Sequence, residues 1–466
     1  MCEYRINGGR PLAGQLTVQG AKNSVLPILA ATVLADGESV IQNCPDLSDV
    51  SATLEILRLL GCRVKQEGST VRVDASTLEC SRIPEQLMGE LRSSVVFLGA
   101  LLARCGRAEL AYPGGCELGP RPIDLHLMAL RTLGADIQEA RGGLCCRSKT
   151  GLRGREFCLP TPSVGATENA MLAACGCPGV TTIVGAAREP EIEDLQNFLR
   201  AMGACIEGAG TSSIRIEGGR TLHPARHAVI GDRMAAATYL CAVGAAGGCV
   251  QLHGVDPRHL TGFLSVLEEA GADLHTENNS ISMACTVPLN GVRPIRTAPY
   301  PGFPTDAQAP LMAALSCGTG TTMFVENMFS SRYRHVDELA RMGADIQVDG
   351  RVAVVTGRPL QGARVRGTDL RGSAALVVAA LGAKGESRVS GVRHILRGYQ
   401  DLDGDLRSLG ASIQYAERSR RISASAQKAK EVTGCHQPET TEEGEKTGDA
   451  LVSCLKCWPL LRSWRR

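Results

Sequence analysis

The segment LRTLGADI, residues 130–137, decides the fold because the chain repeats it. It reads as the end of a helix, a glycine turn and the start of an extended segment. Variants occur six times: LRLLGCRV (57–64), LRTLGADI (130–137), LRAMGACI (199–206), LEEAGADL (267–274), LARMGADI (339–346) and LRSLGASI (406–413). The turn glycines lie 67 to 73 residues apart, a period that indicates a repeat architecture. Each glycine suits a helix C-cap, where a positive φ costs glycine little.

Six apolar stretches, each ending in glycine, precede the six turn glycines at a nearly constant spacing. They are SVLPILAATVLADG, SSVVFLGALLARCG, NAMLAACGCPG, MAAATYLCAVGAAGG, APLMAALSCGTG and AALVVAALGAKG. Because they are apolar nearly all round, they predict buried helices, whereas the helices before the turns carry charge on one face and should lie outside. Segments such as STVRVDA alternate in polarity and predict strands with one covered face. The repeat therefore predicts a layered α/β architecture, and six units could form two domains of three.

Length and composition allow two sizeable cores and argue against several function classes. The chain has 466 residues, 44% of them hydrophobic. Its net charge of +2 gives no reason to expect nucleic acid or a membrane surface as a partner. The N-terminus lacks the apolar run of a signal peptide and no apolar stretch is long enough for a transmembrane helix, so we expect a cytoplasmic protein.

The 19 cysteines are interpreted as free thiols rather than as a disulfide framework. Their number is odd, and Cys105, Cys175, Cys241 and Cys317 lie inside apolar runs. This pattern predicts buried thiols in a reducing compartment.

A glycine-rich loop contains a cysteine in a different setting. Residues 113–126 read PGGCELGPRPIDLH, with three glycines and three prolines in the string. Such a loop would expose Cys116, and nearby Arg121 would favour its thiolate and attract anions. On this pattern alone, the cysteine is more often a plain surface residue than a catalytic one.

Polar residues stand at or near the start of the apolar helices. They are Lys22, Asn23, Arg92, Ser163, Asp232, Arg233, Asp306, Asp369 and Arg371. A helix N-terminus offers free N–H groups and a partial positive charge, which suits phosphate or carboxylate. Capping alone would explain Ser163, Asp306 or Asp369 equally well, so each of these residues taken singly leaves both interpretations open.

The repeat and the motifs together resemble the enolpyruvyl transferase family, in the branch that acts on UDP-N-acetylglucosamine. The motifs are GAKNSVLPIL (20–29), PGGCELGPRPIDLH and HILRGY (394–399), and the resemblance runs from about residue 3 to residue 416. It implies a two-domain inverse α/β barrel built of six βαβαββ-type repeats, three per domain. The implied domains are residues 22–229 and residues 1–21 with 230–417, and the helix N-termini would face the cleft between them.

The resemblance also implies a reaction. The enolpyruvyl group of phosphoenolpyruvate would pass to the 3-hydroxyl of UDP-N-acetylglucosamine by addition and elimination, with release of phosphate, as the first committed step of peptidoglycan precursor synthesis. These two small molecules would be the substrates, with no cofactor, no metal, no nucleic acid and no membrane as partner. Cys116 would be the general acid at the methylene carbon, able to form a covalent adduct with phosphoenolpyruvate, and Asp306 the candidate base; Lys22 and Arg397 complete the implied catalytic set.

Substrate-binding positions follow from the same resemblance. Phosphoenolpyruvate would contact Lys22, Asn23, Arg121 and Arg397. The nucleotide sugar would contact Arg92, Arg121, Pro122, Ile123, Asp124, Leu125, Thr161, Pro162, Ser163, Val164, Asp306 and Met328. The chain departs from the family at Thr161, where some members carry lysine, and at Met328, where a β-branched residue is common. Arg188, Arg332, Asp369 and Arg371 would support the cleft and domain closure.

Three other functions compete with this interpretation. The shikimate-pathway enolpyruvyl transferase shares the repeat but lacks the loop cysteine. An inactive paralogue that binds nucleotide sugars would not need the acid. The presence of the whole set argues against it: Lys22, Cys116, Arg121, Asp306 and Arg397. A redox-sensing role for the thiols would fall on Cys116, the one with the exposure and cationic setting for it.

The last segment, residues 418–466, departs from the repeat. Its first part is polar and charged without aliphatic periodicity, which predicts disorder. Its end holds a single C-x-x-C at Cys454 and Cys457, which is weak evidence for zinc without a second ligand pair. An appended amphipathic segment and a misread reading frame both remain open.

Overall fold

Four-stranded sheets, one for each repeat, organise the chain. The computed structural model describes residues 2–90, 92–111, 122–140, 143–149 and 151–417, with backbone only at 88–90, 92, 93 and 140. Six such sheets lie within these ranges. Cys116 and Arg121 lie outside the described residues, as do Cys454 and Cys457.

The secondary structure alternates short strands with helices along the whole described chain. The strands are β1 Cys2–Asn7, β2 Leu12–Thr17, β3 Glu38–Gln42, β4 Arg63–Glu67, β5 Thr70–Asp74, β6 Arg82–Ile83, β7 Arg107–Leu110, β8 Asp136–Ala140, β9 Gly143–Arg147, β10 Glu156–Cys158, β11 Gly179–Val184, β12 Cys205–Glu207, β13 Ser213–Gly218, β14 Arg226–Ala228, β15 Gly248–His253, β16 Asp273–Glu277, β17 Ser280–Cys285, β18 Ile295–Arg296, β19 Thr321–Val325, β20 Asp345–Asp349, β21 Val352–Thr356, β22 Arg364–Arg366, β23 Glu386–Ser390 and β24 Ser412–Glu417. The α-helices are α1 Lys22–Ala31, α2 Ser48–Leu59, α3 Glu85–Glu90, α4 Phe97–Cys105, α5 Asp124–Thr132, α6 Val164–Cys175, α7 Pro190–Ala201, α8 Arg233–Ala246, α9 Thr261–Glu269, α10 Thr305–Ser316, α11 Val336–Arg341, α12 Leu370–Gly382 and α13 Leu402–Ser408. Segments of 3-10 helix are Thr32–Leu34, Arg92–Val96, Pro257–Leu260 and Val392–Arg397.

The predicted βαβαββ order recurs along the chain, and the third repeat shows it complete within one continuous segment. It runs β10, α6, β11, α7, β12, β13. The strand β10 pairs parallel with β11, while β13 lies antiparallel between β11 and β12. The second repeat, with sheet order β6-β7-β9-β8, and the fifth, with β18-β19-β21-β20, have the same arrangement. The predicted six-unit α/β repeat is therefore confirmed.

Three repeats borrow a strand from a distant part of the chain. The strand β14, which follows the third repeat, pairs parallel with β3 of the first. The N-terminal strands β2 and β1 complete the sheets of the fourth and sixth repeats. The chain therefore crosses twice between its halves, and the crossings meet at a bridge between Gly20 and Gly231. A Cβ on Gly20 would lie 1.8 Å from the carbonyl oxygen of Asn43, so glycine is required there.

The turn glycines have the backbone conformation that the repeat predicts. Each has a positive φ, between 90° and 104°. They are Gly61, Gly134, Gly203, Gly271, Gly343 and Gly410. In the described chain, each one follows the last turn of an outer helix and starts the return to the sheet.

The apolar first helix of each repeat is buried against other first helices. The helix α4 packs on α1 and α6, while α8, α10 and α12 contact one another. Buried hydrophobic side chains form two clusters, one from residues 21–229 and the other from residues 4–18 and 234–413. Both lie in one compact unit, Met1–Arg418. The two clusters support the predicted domain boundaries, which stay a prediction.

Two outer helices bury charges that the sequence pattern assigns to the surface. Asp49 of α2 is 4% exposed, and Glu191 and Asp194 of α7 are each 3% exposed. Glu191 accepts two hydrogen bonds from Arg233, at 3.0 and 3.1 Å. Asp194 accepts hydrogen bonds from the Ser24 hydroxyl and the Ile230 amide, and lies 2.8 Å from a ring nitrogen of His227. The expectation of fully solvated outer faces is wrong here because each carboxylate has partners that compensate its burial.

The described cysteines are free thiols. Cys175 and Cys241 are buried as expected, and burial raises the pKa of the Cys175 and Cys317 thiols to about 12. Their thiolates are strongly disfavoured, so these side chains are poor nucleophiles. The prediction for Cys105 is wrong: this residue is exposed because it ends α4, just before Gly106 turns the chain away with a φ of 66°.

Candidate active site

A buried carboxylate joins two of the predicted phosphoenolpyruvate ligands at the start of α1. We call Lys22, Asp49 and Arg397 the α1 cation cluster. The Lys22 ammonium lies 2.7 Å from Asp49 Oδ2. Arg397 donates from Nε to Asp49 Oδ1 at 3.0 Å and from Nη2 to Oδ2 at 3.2 Å. The carboxylate of Asp49 thereby holds together Lys22 and Arg397, which are 375 positions apart in sequence.

The electrostatics of this cluster leave positive charge on its accessible side. The side chain of Asp49 is 6% exposed, whereas that of Arg397 is 40% exposed. Burial raises the pKa of Asp49, but Lys22 and Arg397 outweigh it and hold that pKa below its usual value. Burial lowers the pKa of Lys22, Asp49 opposes this effect, and Arg397 and Arg371 add to it. The solvent-facing part of the cluster is therefore cationic, which suits phosphate or carboxylate.

A second cluster, at the start of α10, has the opposite exposure. We call Asp306, Arg332 and Arg371 the α10 carboxylate cluster. Arg332 Nη2 donates to Asp306 Oδ1 at 3.0 Å, and Arg371 Nε donates to Oδ2 at 3.3 Å. The arginine side chains are 2% and 3% exposed, while that of Asp306 is 31% exposed. This cluster therefore presents a carboxylate whose orientation two buried guanidinium groups define.

Hydrogen bonds to Thr305, the residue before Asp306, hold the first turn of α10 in place. Arg332 also donates from Nη2 to the Thr305 carbonyl oxygen at 2.8 Å. The Thr305 hydroxyl donates to the buried carboxylate of Glu326 at 3.0 Å, and the Met328 amide donates to the other oxygen of Glu326 at 2.8 Å. Met328, itself 40% exposed, is thus linked through Glu326 to the first turn of α10, and its role stays a prediction.

Arg371 connects the two clusters. Its Nη1 donates to the Tyr399 hydroxyl at 3.0 Å, and that hydroxyl is hydrogen-bonded to Thr238 at 2.7 Å. Its charge contributes to lowering the pKa of Lys22, after burial and Arg397. The charges at the starts of α1, α10 and α12 are therefore close enough to act on one another.

Asp232 ties the start of α1 to the second chain crossing. It caps α8 by accepting from the amides of Met234 and Ala235 at 2.8 and 2.9 Å. Its other oxygen accepts from the Lys22 amide at 3.1 Å. The Ala21 amide donates to the Ile230 carbonyl at 2.7 Å, so the backbone before Lys22 is paired as well. The predicted binding lysine thus projects from a backbone with defined hydrogen bonds.

Two groups of predicted nucleotide-sugar residues in the first half lie at two adjacent helix starts. Residues 122–125 lead into α5, and residues 161–164 lead into α6, where Ser163 accepts from the Ala166 amide at 3.4 Å. The two helices contact each other, and His126 of α5 lies 3.0 Å from the Asn169 side chain of α6. A Cβ on Gly165 would lie 2.9 Å from the His126 ring, so these two ends approach closely. Their amides are suitable donors to phosphate.

The other predicted site residues fall in different places. Asn23 is exposed in the first turn of α1, Arg92 begins the 3-10 segment Arg92–Val96, and Arg188 is exposed before α7. Asp369 is the N-cap of α12 and accepts from the Gly372 amide at 2.9 Å. Cys116 and Arg121 lie outside the described residues, so their roles stay predictions. Among the described residues, no three His, Cys, Asp or Glu side chains are grouped to hold a metal.

Sequence reasoning missed the buried acids that support the site. Asp49 and Glu326 contact predicted site residues, yet neither lies in a motif that marks it. Asp49 is the second residue of α2, where an acid is expected simply because it suits a helix N-terminus. Only contacts between distant segments distinguish these residues from ordinary surface acids.

Comparisons with known proteins agree with this geometry. A family model of EPSP synthase (3-phosphoshikimate 1-carboxyvinyltransferase) matches residues 6–424. UDP-N-acetylglucosamine 1-carboxyvinyltransferase 2 of Caldanaerobacter subterraneus subsp. tengcongensis is 49% identical over 414 residues, which cover 89% of this chain and 99% of that protein. The chain belongs to the enolpyruvyl transferase family, in the UDP-N-acetylglucosamine 1-carboxyvinyltransferase branch. The same enzyme of Sorangium cellulosum is 45% identical over 420 residues, covering 90% of this chain and 99% of that protein.

Solved structures of enolpyruvyl transferases share the fold. The enolpyruvyl transferase NikO from Streptomyces tendae superposes with a TM-score of 0.80 at 27% identity, covering 89% of this chain and 99% of that chain. An EPSP synthase from Acinetobacter baumannii gives a TM-score of 0.71 at 20% identity, covering 90% and 100%, and this likeness concerns the fold alone. The predicted enolpyruvyl transferase fold is confirmed, and the chain is a transferase of this family. Within the described ranges, every helix is too short or too polar to cross a lipid bilayer.

Proposed function

We propose that this enolpyruvyl transferase moves the enolpyruvyl group of phosphoenolpyruvate onto the 3-hydroxyl of UDP-N-acetylglucosamine and releases phosphate. The relatives that carry the name of this activity are 43–49% identical over nearly the whole described chain. The product would be the first committed precursor of peptidoglycan synthesis, made in the cytoplasm.

The opposite exposure of the two charge clusters is the observation that carries this proposal. The α1 cation cluster buries its carboxylate and leaves Arg397 partly exposed, so it suits the phosphate and carboxylate of phosphoenolpyruvate. The α10 carboxylate cluster buries its arginines and leaves Asp306 partly exposed, so it suits a hydroxyl that must lose a proton. Anion binding and proton acceptance are the two tasks that the reaction requires of the described residues.

The addition step needs a base at the sugar and an acid at phosphoenolpyruvate. Asp306 would take the proton of the 3-hydroxyl as its oxygen forms a bond to C2 of phosphoenolpyruvate. Cys116 would give a proton to C3, so that the double bond becomes a single bond and a tetrahedral intermediate forms. Lys22 and Arg397, with Arg121, would hold the phosphate and carboxylate while this occurs.

The elimination step removes phosphate from the tetrahedral intermediate and restores the double bond. The bond from C2 to the phosphate oxygen breaks, C3 loses a proton, and the double bond of the enolpyruvyl ether forms. The cations that bound the phosphoryl group would stabilise the charge on the departing phosphate. The amides at the starts of α5 and α6 would hold the nucleotide sugar during both steps.

A phosphate-release assay with two acceptors tests the proposal. The purified full chain is incubated with phosphoenolpyruvate and either UDP-N-acetylglucosamine or shikimate 3-phosphate. We expect release of phosphate with the nucleotide sugar and none with shikimate 3-phosphate. The reverse preference would identify the chain as a shikimate-pathway enzyme, and release with neither acceptor would favour an inactive binding protein.

Matched cysteine variants test the predicted general acid. Cys116→Ser should lose most of the turnover, because serine is a far weaker acid than a thiol beside a cation. Cys175→Ser and Cys317→Ser change thiols whose pKa is raised by burial, so we expect lower thermal stability with a kcat close to that of the native enzyme. Equal loss of kcat in all three variants would contradict the role of Cys116.

A further inference from the structure

We propose that Asp49 is a positioning residue for phosphoenolpyruvate, which holds Lys22 and Arg397 as one cation pair across the two halves of the chain. This proposal rests on the function proposed above. Asp49 was not among the residues that the sequence pattern or the family resemblance indicated. Its place in the structure, rather than its place in the sequence, assigns this role.

The contacts of Asp49 use both carboxylate oxygens. Oδ1 accepts from Arg397 Nε at 3.0 Å, and Oδ2 accepts from Arg397 Nη2 at 3.2 Å while lying 2.7 Å from the Lys22 ammonium. The guanidinium is therefore bound in the two-pronged geometry that fixes its plane. Because the same oxygen contacts both cations, any movement of Asp49 changes the position of both.

Neighbouring hydrogen bonds fix the elements that carry these side chains. The Asp46 amide donates to Gln400 Oε1 at 3.1 Å, and the Ser48 hydroxyl donates to the Leu396 carbonyl oxygen at 3.4 Å. The Gln400 amide in turn donates to Gln19 Oε1 at 2.8 Å. The start of α2 is thus joined to residues 396–400 on both sides of the Asp49–Arg397 pair, which gives the pair a defined geometry.

Asp49 also favours the charged form of Lys22. The groups that act on Lys22 are Asp49 from α2, Arg397 from the 3-10 segment Val392–Arg397 and Arg371 from α12. Burial lowers the pKa of Lys22, and both arginines lower it further, whereas Asp49 raises it. Without the Asp49 charge the lysine would lose its proton at a lower pH, and a neutral amine binds phosphate poorly.

The variant Asp49→Asn removes the charge while keeping the size of the side chain. We expect the KM for phosphoenolpyruvate to rise about tenfold or more at pH 7, the loss typical of hydrogen bonds to charged groups. The ratio of this KM to that of the native enzyme should grow as pH rises, because Lys22 of the variant loses its proton at a lower pH than Lys22 of the native enzyme. The KM for UDP-N-acetylglucosamine should stay within about twofold, because the described side-chain partners of Asp49 are Lys22 and Arg397, both predicted to bind phosphoenolpyruvate.

Two further variants separate positioning from a general effect on folding. Asp46→Asn changes an exposed carboxylate three residues away and keeps the backbone amide that donates to Gln400, so it should follow the native enzyme at every pH. Asp49→Glu keeps the charge but moves it, so its KM for phosphoenolpyruvate should be raised by a factor that does not change with pH. A KM for phosphoenolpyruvate that is unchanged in Asp49→Asn, or an equal rise in both KM values, would refute the proposal.

Calorimetric titration with inorganic phosphate separates this proposal from the proposed function. Between pH 7.5 and pH 9, Asp49→Asn should bind phosphate more weakly than the native protein, with a gap that widens as pH rises. This result does not depend on turnover. If the native chain turned over neither acceptor yet showed this gap, the proposed function would fail and the role of Asp49 in anion binding would stand. If Asp49→Asn bound phosphate with the affinity of the native protein, the Asp49 proposal would be refuted and the proposed function would be unaffected.

Discussion

The α1 cation cluster and the α10 carboxylate cluster contain the same charges, one aspartate and two cations, but expose opposite members. In the first, the Asp49 side chain is 6% exposed and that of Arg397 is 40% exposed. In the second, the Arg332 side chain is 2% exposed and that of Asp306 is 31% exposed. The buried member orients its partners and the exposed member meets the solvent. The two clusters have the same kinds of residues, so burial decides their tasks. It makes the α1 cation cluster suitable for binding an anion and the α10 carboxylate cluster suitable for accepting a proton.

The structural cause of this difference is the element that supplies each buried group. Asp49 comes from α2, an outer helix whose start is bonded to residues 396–400. Arg371 comes from the first turn of α12, an inner helix packed on α8 and α10. The carboxylate carried inward by the outer helix α2 leaves Arg397 as the partly exposed member of its cluster. A guanidinium carried by an inner helix leaves its carboxylate facing out.

The largest effect should follow from neutralising the exposed carboxylate. Asp306→Asn should lower kcat by about 10²–10⁴-fold, the usual contribution of a positioned general base, with a much smaller change in the KM for phosphoenolpyruvate. Steady-state kinetics with both substrates varied measures this split. Asp337→Asn, an exposed acid of α11 in the same repeat, is the matched control and should keep the native kcat. If the kcat of Asp306→Asn were within threefold of the native value, Asp306 would not be the general base.

The next effect compares a buried cation with an exposed one. Arg371→Met removes the buried guanidinium that donates to Asp306 Oδ2 and to the Tyr399 hydroxyl, and should lower the free energy of unfolding by about 2–4 kcal/mol. Arg397→Met removes a side chain that is 40% exposed and should cost less than about 1 kcal/mol, while strongly raising the KM for phosphoenolpyruvate. Urea unfolding of both variants measures the difference. Equal destabilisation would show that burial does not distinguish the clusters.

The smallest effect concerns the support behind Arg332. His335 is buried, its Nδ1 lies 3.2 Å from the Arg332 carbonyl oxygen, and burial lowers its pKa to about 4. The unfolded chain takes up a proton below the ordinary histidine pKa of about 6.5, whereas the folded chain resists it until about pH 4. The free energy of unfolding is therefore highest above pH 6.5 and decreases as pH falls. At pH 5 this histidine lowers it by roughly 2 kcal/mol relative to its value above pH 6.5.

The variant His335→Gln tests this acid dependence because glutamine does not titrate. The difference in the free energy of unfolding between pH 7 and pH 5 should be smaller in the variant than in the native protein. Denaturant unfolding at the two pH values measures it. His275→Gln, which changes an exposed histidine, should leave the native pH dependence in place. If His335→Gln kept that dependence too, the buried imidazole would not be its source.

Much of the fold was predictable because its signals are local. The glycine after each outer helix, such as Gly134 or Gly343, marks a left-handed turn that depends on neighbouring residues alone. The apolar runs of α4, α8 and α12 predict burial without reference to any partner. Cys105 is the exception, because its exposure depends on where the chain turns away rather than on the polarity of the run.

The candidate site was only partly predictable. Lys22, Asp306 and Arg397 stand in recognisable motifs, so the family resemblance indicates them. Asp49, Glu191, Asp194 and Glu326 look like ordinary charged residues of amphipathic or loop segments, and sequence patterns place such residues in water. Each proves to be buried against a partner between 21 and 348 positions away in sequence.

By itself, the sequence determined six α/β repeats, their helix ends and the family to which they belong. These features arise from glycine conformation and from apolar periodicity, which act within a few residues. Only the tertiary structure decided which charges meet, which are buried, and therefore which cluster suits phosphate and which suits a hydroxyl. A charge acquires its role from the dielectric and the partners around it, and these are supplied by segments that are distant in the chain.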